Sequence, residues 1–283
     1  MLTRFAPSPT GDLHLGHACS AVLAHDAARA AGGRFRLRID DIDGSRSRED
    51  YVAAALADLA WLGLDWDGEP VRQSQRLGAY AAALDDLRGR GLVYPCFCTR
   101  ADIAASLSAP HGPSGAVYPG TCRGLVAAER AARLADGVPH CWRLDMARAA
   151  ALTGPLHWEE EGAGRRRADS HAHGDVVLAR KDAPASYHLA STIDDAEMGV
   201  TLVVRGADLI AATDVHRLLQ ALLRLPTPLY RHHALVCADG RRLAKRDAAA
   251  SLASLRAAGT DGRALAADLR AGRLPTGYSL QNP

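Results

Sequence analysis

The stretch Arg4-Phe5-Ala6-Pro7-Ser8-Pro9-Thr10-Gly11-Asp12-Leu13-His14-Leu15-Gly16-His17 decides how this chain is read. A short apolar segment turns through two prolines and a glycine, then enters an alanine-rich apolar run from Leu15 to Ala31 that reads as a helix. A helix N-terminus presents unpaired N–H groups and a partial positive charge, so it suits phosphate. His14 and His17 stand at that start and can donate hydrogen bonds to phosphate oxygens. Gly16 removes a side chain where a flat ring such as adenine can pack against backbone. Two histidines three apart would alone read as surface residues on a capped helix. The whole run is far more specific.

The bulk properties set bounds. The chain has 283 residues, 48% of them hydrophobic, and a formal net charge of +2. That suffices for one large domain with an insertion, or for two domains. No apolar run is long enough to span a bilayer, and the N-terminus lacks the basic-then-apolar pattern of a signal peptide. A cytoplasmic globular protein without membrane contact is expected, and its six cysteines then do not read as a disulfide framework. All but two of the 34 Lys and Arg residues are arginine, the exceptions being Lys181 and Lys245. Lysine is a compact point charge where arginine is a planar fork, so a retained lysine marks a place where the fork does not serve.

Along the chain, Phe35 to Ile39 reads as a strand ending in Asp40-Asp41-Ile42-Asp43. Ser47 can cap a helix through about Leu62, with Glu49 and Asp50 in its first turn. Gln75 to Arg88 reads as another helix, stopped by Gly89 and Gly91. Such alternation predicts an α/β fold with a parallel sheet and crossover helices. Residues 96–174 break the pattern and read as an insertion between a first half at 1–95 and a second half at 175–247. In the second half the expected elements are Val176-Val177-Leu178, a strand over Val200 to Arg205, a helix over Asp214 to Leu225 and a strand over His233 to Cys237. Residues 248–283 are patterned as one or two helices.

The insertion carries Cys96-Phe97-Cys98 and, across a Gly- and Pro-rich loop, Cys122. Three thiolates suit a tetrahedral Zn²⁺ ion, whose fourth ligand is usually Cys or His; His111 lies in the loop.

The Arg4–His17 run resembles the first signature of class I aminoacyl-tRNA synthetases, in the form found in the glutamyl group. The resemblance spans about residues 3–250. It implies a Rossmann-like catalytic domain that makes an aminoacyl-adenylate from ATP and an amino acid, with His14, Gly16 and His17 on the nucleotide. Arg241-Arg242-Leu243-Ala244-Lys245-Arg246 resembles, in degraded form, the mobile Lys-Met-Ser-Lys-Ser loop of that class. Lys245 matches the second lysine and would join His14 and His17 in stabilising phosphate charge, together with Mg²⁺.

If glutamate is the amino acid, its pocket needs two arginines and an acid. Arg4, Arg205 and Asp40, each at the end of an expected strand, are placed for this. The resemblance supports all three and adds Ser8 and Tyr187. Asp40 stands where the family usually has Glu, so its reach is one methylene shorter. In the insertion, the Cys-x-Cys and Tyr-x-x-x-Cys pattern of a truncated branch of the group matches Cys96, Cys98, Tyr118 and Cys122. The stretch after Lys245 is read as too short for the anticodon-binding region of a full glutamyl-tRNA synthetase. The truncated branch attaches glutamate to the queuosine base of tRNA(Asp). That acceptor is the expectation, for a monomer, with a compact synthetase charging a tRNA 3′ end as the alternative.

Overall fold

The computed structural model describes residues 1–105, 117–238, 241–242 and 251–281. His111 and Lys245 lie outside the described residues.

Strand β1 (Leu2–Phe5) is wholly buried and leads through the proline loop into helix α1 (Leu15–Ala30). The small buried residues Ala18, Ala21 and Ala24 let α1 lie close against the sheet. Strand β2 (Arg34–Ile39) runs parallel to β1, with Leu2 opposite Arg34 and Phe5 opposite Leu37. Gly33 makes the return possible, because a Cβ there would sit 2.1 Å from the Met1 carbonyl oxygen. Helix α2 (Glu49–Trp61) crosses to β3 (Val71–Arg72), parallel to β2, and α3 (Leu77–Gly89) follows. The N-cap of α2 is Arg48 and not Ser47. Backbone bonds set the entry instead: the Ser47 amide donates to the Asp43 carbonyl at 2.9 Å and the Arg48 amide to that of Pro9 at 3.0 Å.

The next elements are β4 (Val93–Cys96), α4 (Arg100–Ala105), α5 (Ala127–Ala135), β5 (Cys141–Leu144), α6 (Met146–Thr153), β6 (His157–Glu160), β7 (Gly164–Arg167) and β8 (Val177–Ala179). Strands β4, β5 and β8 form an antiparallel sheet with β5 central. Val177–Ala179, read from sequence as the return to the nucleotide fold, therefore belongs with the insertion strands. The β6–β7 hairpin, read as part of the insertion, pairs instead with the second half. Boundaries at 96 and 174 do not coincide with the sheets. The reason is packing: Val93, Leu144 and Leu178 share one buried core with Leu189, Leu218 and Leu219 of the second half.

That half contains α7 (Tyr187–Glu197), β9 (Leu202–Gly206), α8 (Ile210–Leu223), β10 (Leu229–His233), β11 (Leu235–Ala238) and β12 (Arg241–Arg242). Strand β10 is parallel to both β9 and β6, giving the order β7-β6-β10-β9. This sheet adjoins the first at β9 and β1, where the Thr201 amide donates to the Leu2 carbonyl at 2.9 Å. Helix α1 packs over the junction, in a core shared by Phe5, Leu37, Leu202 and Val204.

Helices α9 (Leu252–Ala257) and α10 (Gly262–Arg270) are followed by strand β13 (Tyr278–Gln281). Helical patterning does not reveal β13, which exists because β11 offers an edge: β11 pairs antiparallel with both β12 and β13. Arg241 and Arg242, read as the start of a loop, thus lie in a strand. Ser251 bridges to His14, and the Leu252 amide donates to the Leu13 carbonyl at 2.8 Å. No helix of the described residues is long and apolar enough to cross a membrane.

Candidate active site

A cavity of about 410 Å³ opens where β1, β2 and β9 end and α1 begins. It brings together Arg4, Ser8, His14, Gly16, His17, Asp40, Tyr187 and Arg205. These come from segments up to two hundred residues apart, gathered because parallel strands end on a common rim.

At the α1 end, the two histidines form a reciprocal cap. The Gly16 amide donates to His14 Nδ1 at 3.1 Å, and the His14 amide donates to His17 Nδ1 at 3.2 Å. The rings stack with centroids 3.8 Å apart. With both Nδ1 atoms accepting, each neutral imidazole carries its proton on Nε2, a donor suited to phosphate oxygen. Gly16 has a local reason of its own, since a Cβ would meet His14 Cε1 at 3.0 Å.

The floor is an ion-pair chain. Arg4 holds Asp195 with Nε at 2.9 Å and Nη2 at 3.2 Å, and its Nη1 donates to the Val204 carbonyl at 3.2 Å. Arg38, only 1% exposed, grips Asp40 with Nε at 2.7 Å and Nη2 at 3.2 Å, and reaches Asp195 with Nη1 at 2.6 Å. Burial pushes the Asp195 carboxyl up, but Arg4 and Arg38 outweigh it and hold the group below its ordinary value. At Asp40 burial wins over Arg38 and the carboxyl is raised. Behind them Asp194, fully buried, accepts from Arg76 at 2.6 Å, Gln73 at 2.7 Å and Tyr80 at 2.8 Å. Sequence reading missed Arg38, Asp194 and Asp195. Arg38 continues the alternation of Arg34 and Arg36, which reads as a solvated face. The adjacent carboxylates of α7 carry no local pattern that distinguishes burial from a solvated face.

Arg205 is held differently. Its Nε donates to His232 at 3.2 Å, its Nη1 to His216 at 3.2 Å and Tyr187 at 3.3 Å, and its Nη2 to Thr213 at 2.6 Å. Among the described residues none of its partners is a carboxylate. Arg4 and Arg38 are thus both bound by carboxylates, whereas Arg205 is met by neutral groups and lines the cavity beside Tyr187. A ligand carboxylate fits that guanidinium.

Some distance away, a small core encloses Cys96, Tyr118 and Cys122. The Sγ atoms of Cys96, Cys98 and Cys122 all lie within 4.8 Å of one another. Cys98 Sγ is 3.4 Å from that of Cys122 and 3.7 Å from the Tyr118 hydroxyl. A tetrahedral ion with bonds of 2.3 Å sets its sulfurs about 3.8 Å apart, so the cluster can hold a metal. The Arg143 guanidinium lies 3.9 Å over the Tyr118 ring and the Cys122 amide donates to its hydroxyl at 2.8 Å, while burial pushes the phenol above its ordinary value.

Parallel strands ending at a capped helix, with a phosphate-suited end and a cationic end in one cavity, define a nucleotide-binding catalytic domain. The chain belongs to the family described as tRNA synthetases class I (E and Q), catalytic domain, whose model matches residues 1–271. It is a ligase of the aminoacyl-tRNA synthetase type. It is 51% identical to the glutamyl-Q tRNA(Asp) synthetase of Rhodobacter capsulatus, over 92% of this chain and 96% of the relative. The protein of that name from Symbiobacterium thermophilum is 47% identical, over 91% of this chain and 81% of its own. Among solved structures, the glutamate–tRNA synthetase of Elizabethkingia anophelis superposes with a TM-score of 0.74 at 27% identity, over 87% of this chain. The chain spans about half of that structure, 52% of its length.

Proposed function

We propose that the cavity activates L-glutamate with ATP and passes the glutamyl group to the queuosine base of tRNA(Asp). The observation that carries the activation step is the pairing, in one cavity, of the His14/His17 helix start with Arg205, a guanidinium held by neutral groups. An oxygen of the glutamate α-carboxylate attacks the α-phosphorus of ATP in line, the bond to the β-phosphate breaks, and pyrophosphate leaves. No enzyme nucleophile is needed; catalysis is positioning and stabilisation of phosphate charge. His14 and His17 donate to phosphate oxygens, and Gly16 leaves room for the adenine. Lys245, outside the described residues and six positions before Ser251, supplies a point charge, and Mg²⁺ accompanies the ATP. Arg4 and Arg205 take the glutamate carboxylates; Ser8, Asp40 and the Tyr187 hydroxyl orient the amino acid.

The acceptor assignment is supported by relatives of similar length named glutamyl-Q tRNA(Asp) synthetase. Arg165, Arg166 and Arg167, exposed on edge strand β7, suit RNA phosphate. Zn²⁺ fits Cys96, Cys98, Cys122 and Tyr118, where it would hold the turn of the insertion together. Every group assigned to activation lies in one chain, which suits a monomer, and ATP and tRNA as substrates suit a cytoplasmic reaction.

The test supplies labelled glutamate with tRNA(Asp) carrying queuosine, the same tRNA carrying guanine there, and tRNA(Glu). Label is expected on the first alone, and it should survive removal of the 3′ terminal nucleotides. Labelling of tRNA(Glu) at its 3′ end would establish the compact charging enzyme instead.

A further inference from the structure

We propose that Glu160 is a positioning residue for glutamate recognition: through a neutral His232 it fixes the Arg205 guanidinium without cancelling its charge. The proposal rests on the reading that Arg205 takes a glutamate carboxylate.

The three residues lie on adjacent strands of one sheet. Glu160 ends β6, His232 is on β10, and His232 is the direct register partner of Arg205 on β9. Glu160 stands opposite Tyr230, two residues before His232 and therefore on the same face, so its side chain reaches His232 diagonally while His232 and Arg205 are direct neighbours. Glu160 Oε2 lies 2.7 Å from His232 Nδ1, and Glu160 Oε1 accepts the His232 backbone N–H at 2.8 Å. On the far side of the ring, His232 Nε2 lies 3.2 Å from Arg205 Nε.

Proton inventory fixes the direction of these contacts. A guanidinium carries donors only, so the nitrogen it meets must offer a lone pair. His232 Nε2 is therefore bare and its proton sits on Nδ1, facing Glu160. The same logic makes His216 an acceptor at Nδ1, and Thr213 supplies a hydroxyl oxygen. Burial and then Arg205 push the His232 imidazole down to about 4, which agrees with a neutral ring. Arg4 is the contrast, because a carboxylate grips it directly. Placing Glu160 one imidazole away gives Arg205 the rigidity of a held side chain while its charge stays available to an incoming carboxylate. His232 and Glu160 are nearly fully buried, with side chains 2% and 9% exposed, so bulk water does not substitute for either.

The experiment measures ATP–pyrophosphate exchange in the whole protein, with KM for glutamate and for ATP and kcat taken separately. Glu160→Gln retains shape but offers one oxygen where two donors need one each. His232→Phe removes the acceptor, and His232→Gln restores one near the same place. Glu160→Gln and His232→Phe are expected to raise glutamate KM about tenfold or more, with ATP KM unchanged and His232→Gln recovering most of the loss. An unchanged ATP KM also reports that each variant is folded, and should Glu160→Gln fail to fold, the His232 pair decides. Arg205→Ala separates the two ideas. If it raises glutamate KM while Glu160→Gln and His232→Phe do not, the relay is wrong and the pocket stands. If Arg205→Ala itself leaves glutamate KM unchanged, the pocket assignment fails.

Discussion

At α1 the His14 ring accepts the Gly16 amide through Nδ1, so one residue caps the helix and also lines the cavity. The two roles can be separated. Asn is among the best N-cap residues, so His14→Asn should keep the thermal midpoint near wild type while removing the distal nitrogen. Turnover in ATP–pyrophosphate exchange is expected to fall about 10²-fold, as for loss of one stabilising donor. His14→Ala should lose the same activity and about 1 kcal/mol of stability as well. Wild-type turnover in His14→Asn would reduce the histidine to a cap. Residue types at this site were legible because the signature is contiguous. Arg38 and Asp195 were not, since they meet across 157 positions of sequence and neither has a local pattern that announces burial.

Helix α2 carries a different kind of charge. Asp58 is fully buried on it, its two oxygens have no hydrogen-bond partner among the described residues, and Arg256 of α9 approaches at 3.0 Å. Burial raises its carboxyl from 3.8 to about 6, with Arg256 opposing and Asp12 adding to the rise. The sign follows from proton binding. Between about pH 4 and 6 the folded state holds this proton more tightly than the unfolded chain, so its contribution to stability falls as pH rises through that window. The loss approaches roughly 3 kcal/mol at neutral pH, an upper bound because Arg256 is partly solvated. Urea unfolding of wild type and Asp58→Asn across pH 4 to 7 checks this: the variant should lack that component of the slope, and identical slopes would refute it. At this scale α1, β2 and α2 were readable from apolar periodicity and turn residues. Strand β13 was not, because four residues carry no period and its pairing depends on the edge of β11.

Across the whole molecule, the metal-competent cluster sits in its own small core beside the β4–β5–β8 sheet, apart from the core around α1. Removing the metal by chelation, or replacing Cys98 with Ser, should therefore lower zinc content and loosen that sheet while the nucleotide fold persists. Hydrogen exchange should rise at residues 93–98 and 117–144 and stay unchanged over α1; full zinc retention in Cys98→Ser would exclude it as a ligand. The sequence by itself determined the family signature, the parallel α/β core and the residue types of the cavity, because each is written in contiguous spacing. It placed Arg4, Asp40 and Arg205 on one rim, because strand ends are predictable where strands are. Only the tertiary structure decided that a carboxylate holds Arg4 while neutral groups hold Arg205, and that β8 pairs with the insertion while β6 and β7 join the catalytic sheet. Pairings between distant strands are chosen by which apolar faces share a core, and charge pairing follows from which side chains those strands then bring within hydrogen-bonding reach; neither is recorded in local sequence.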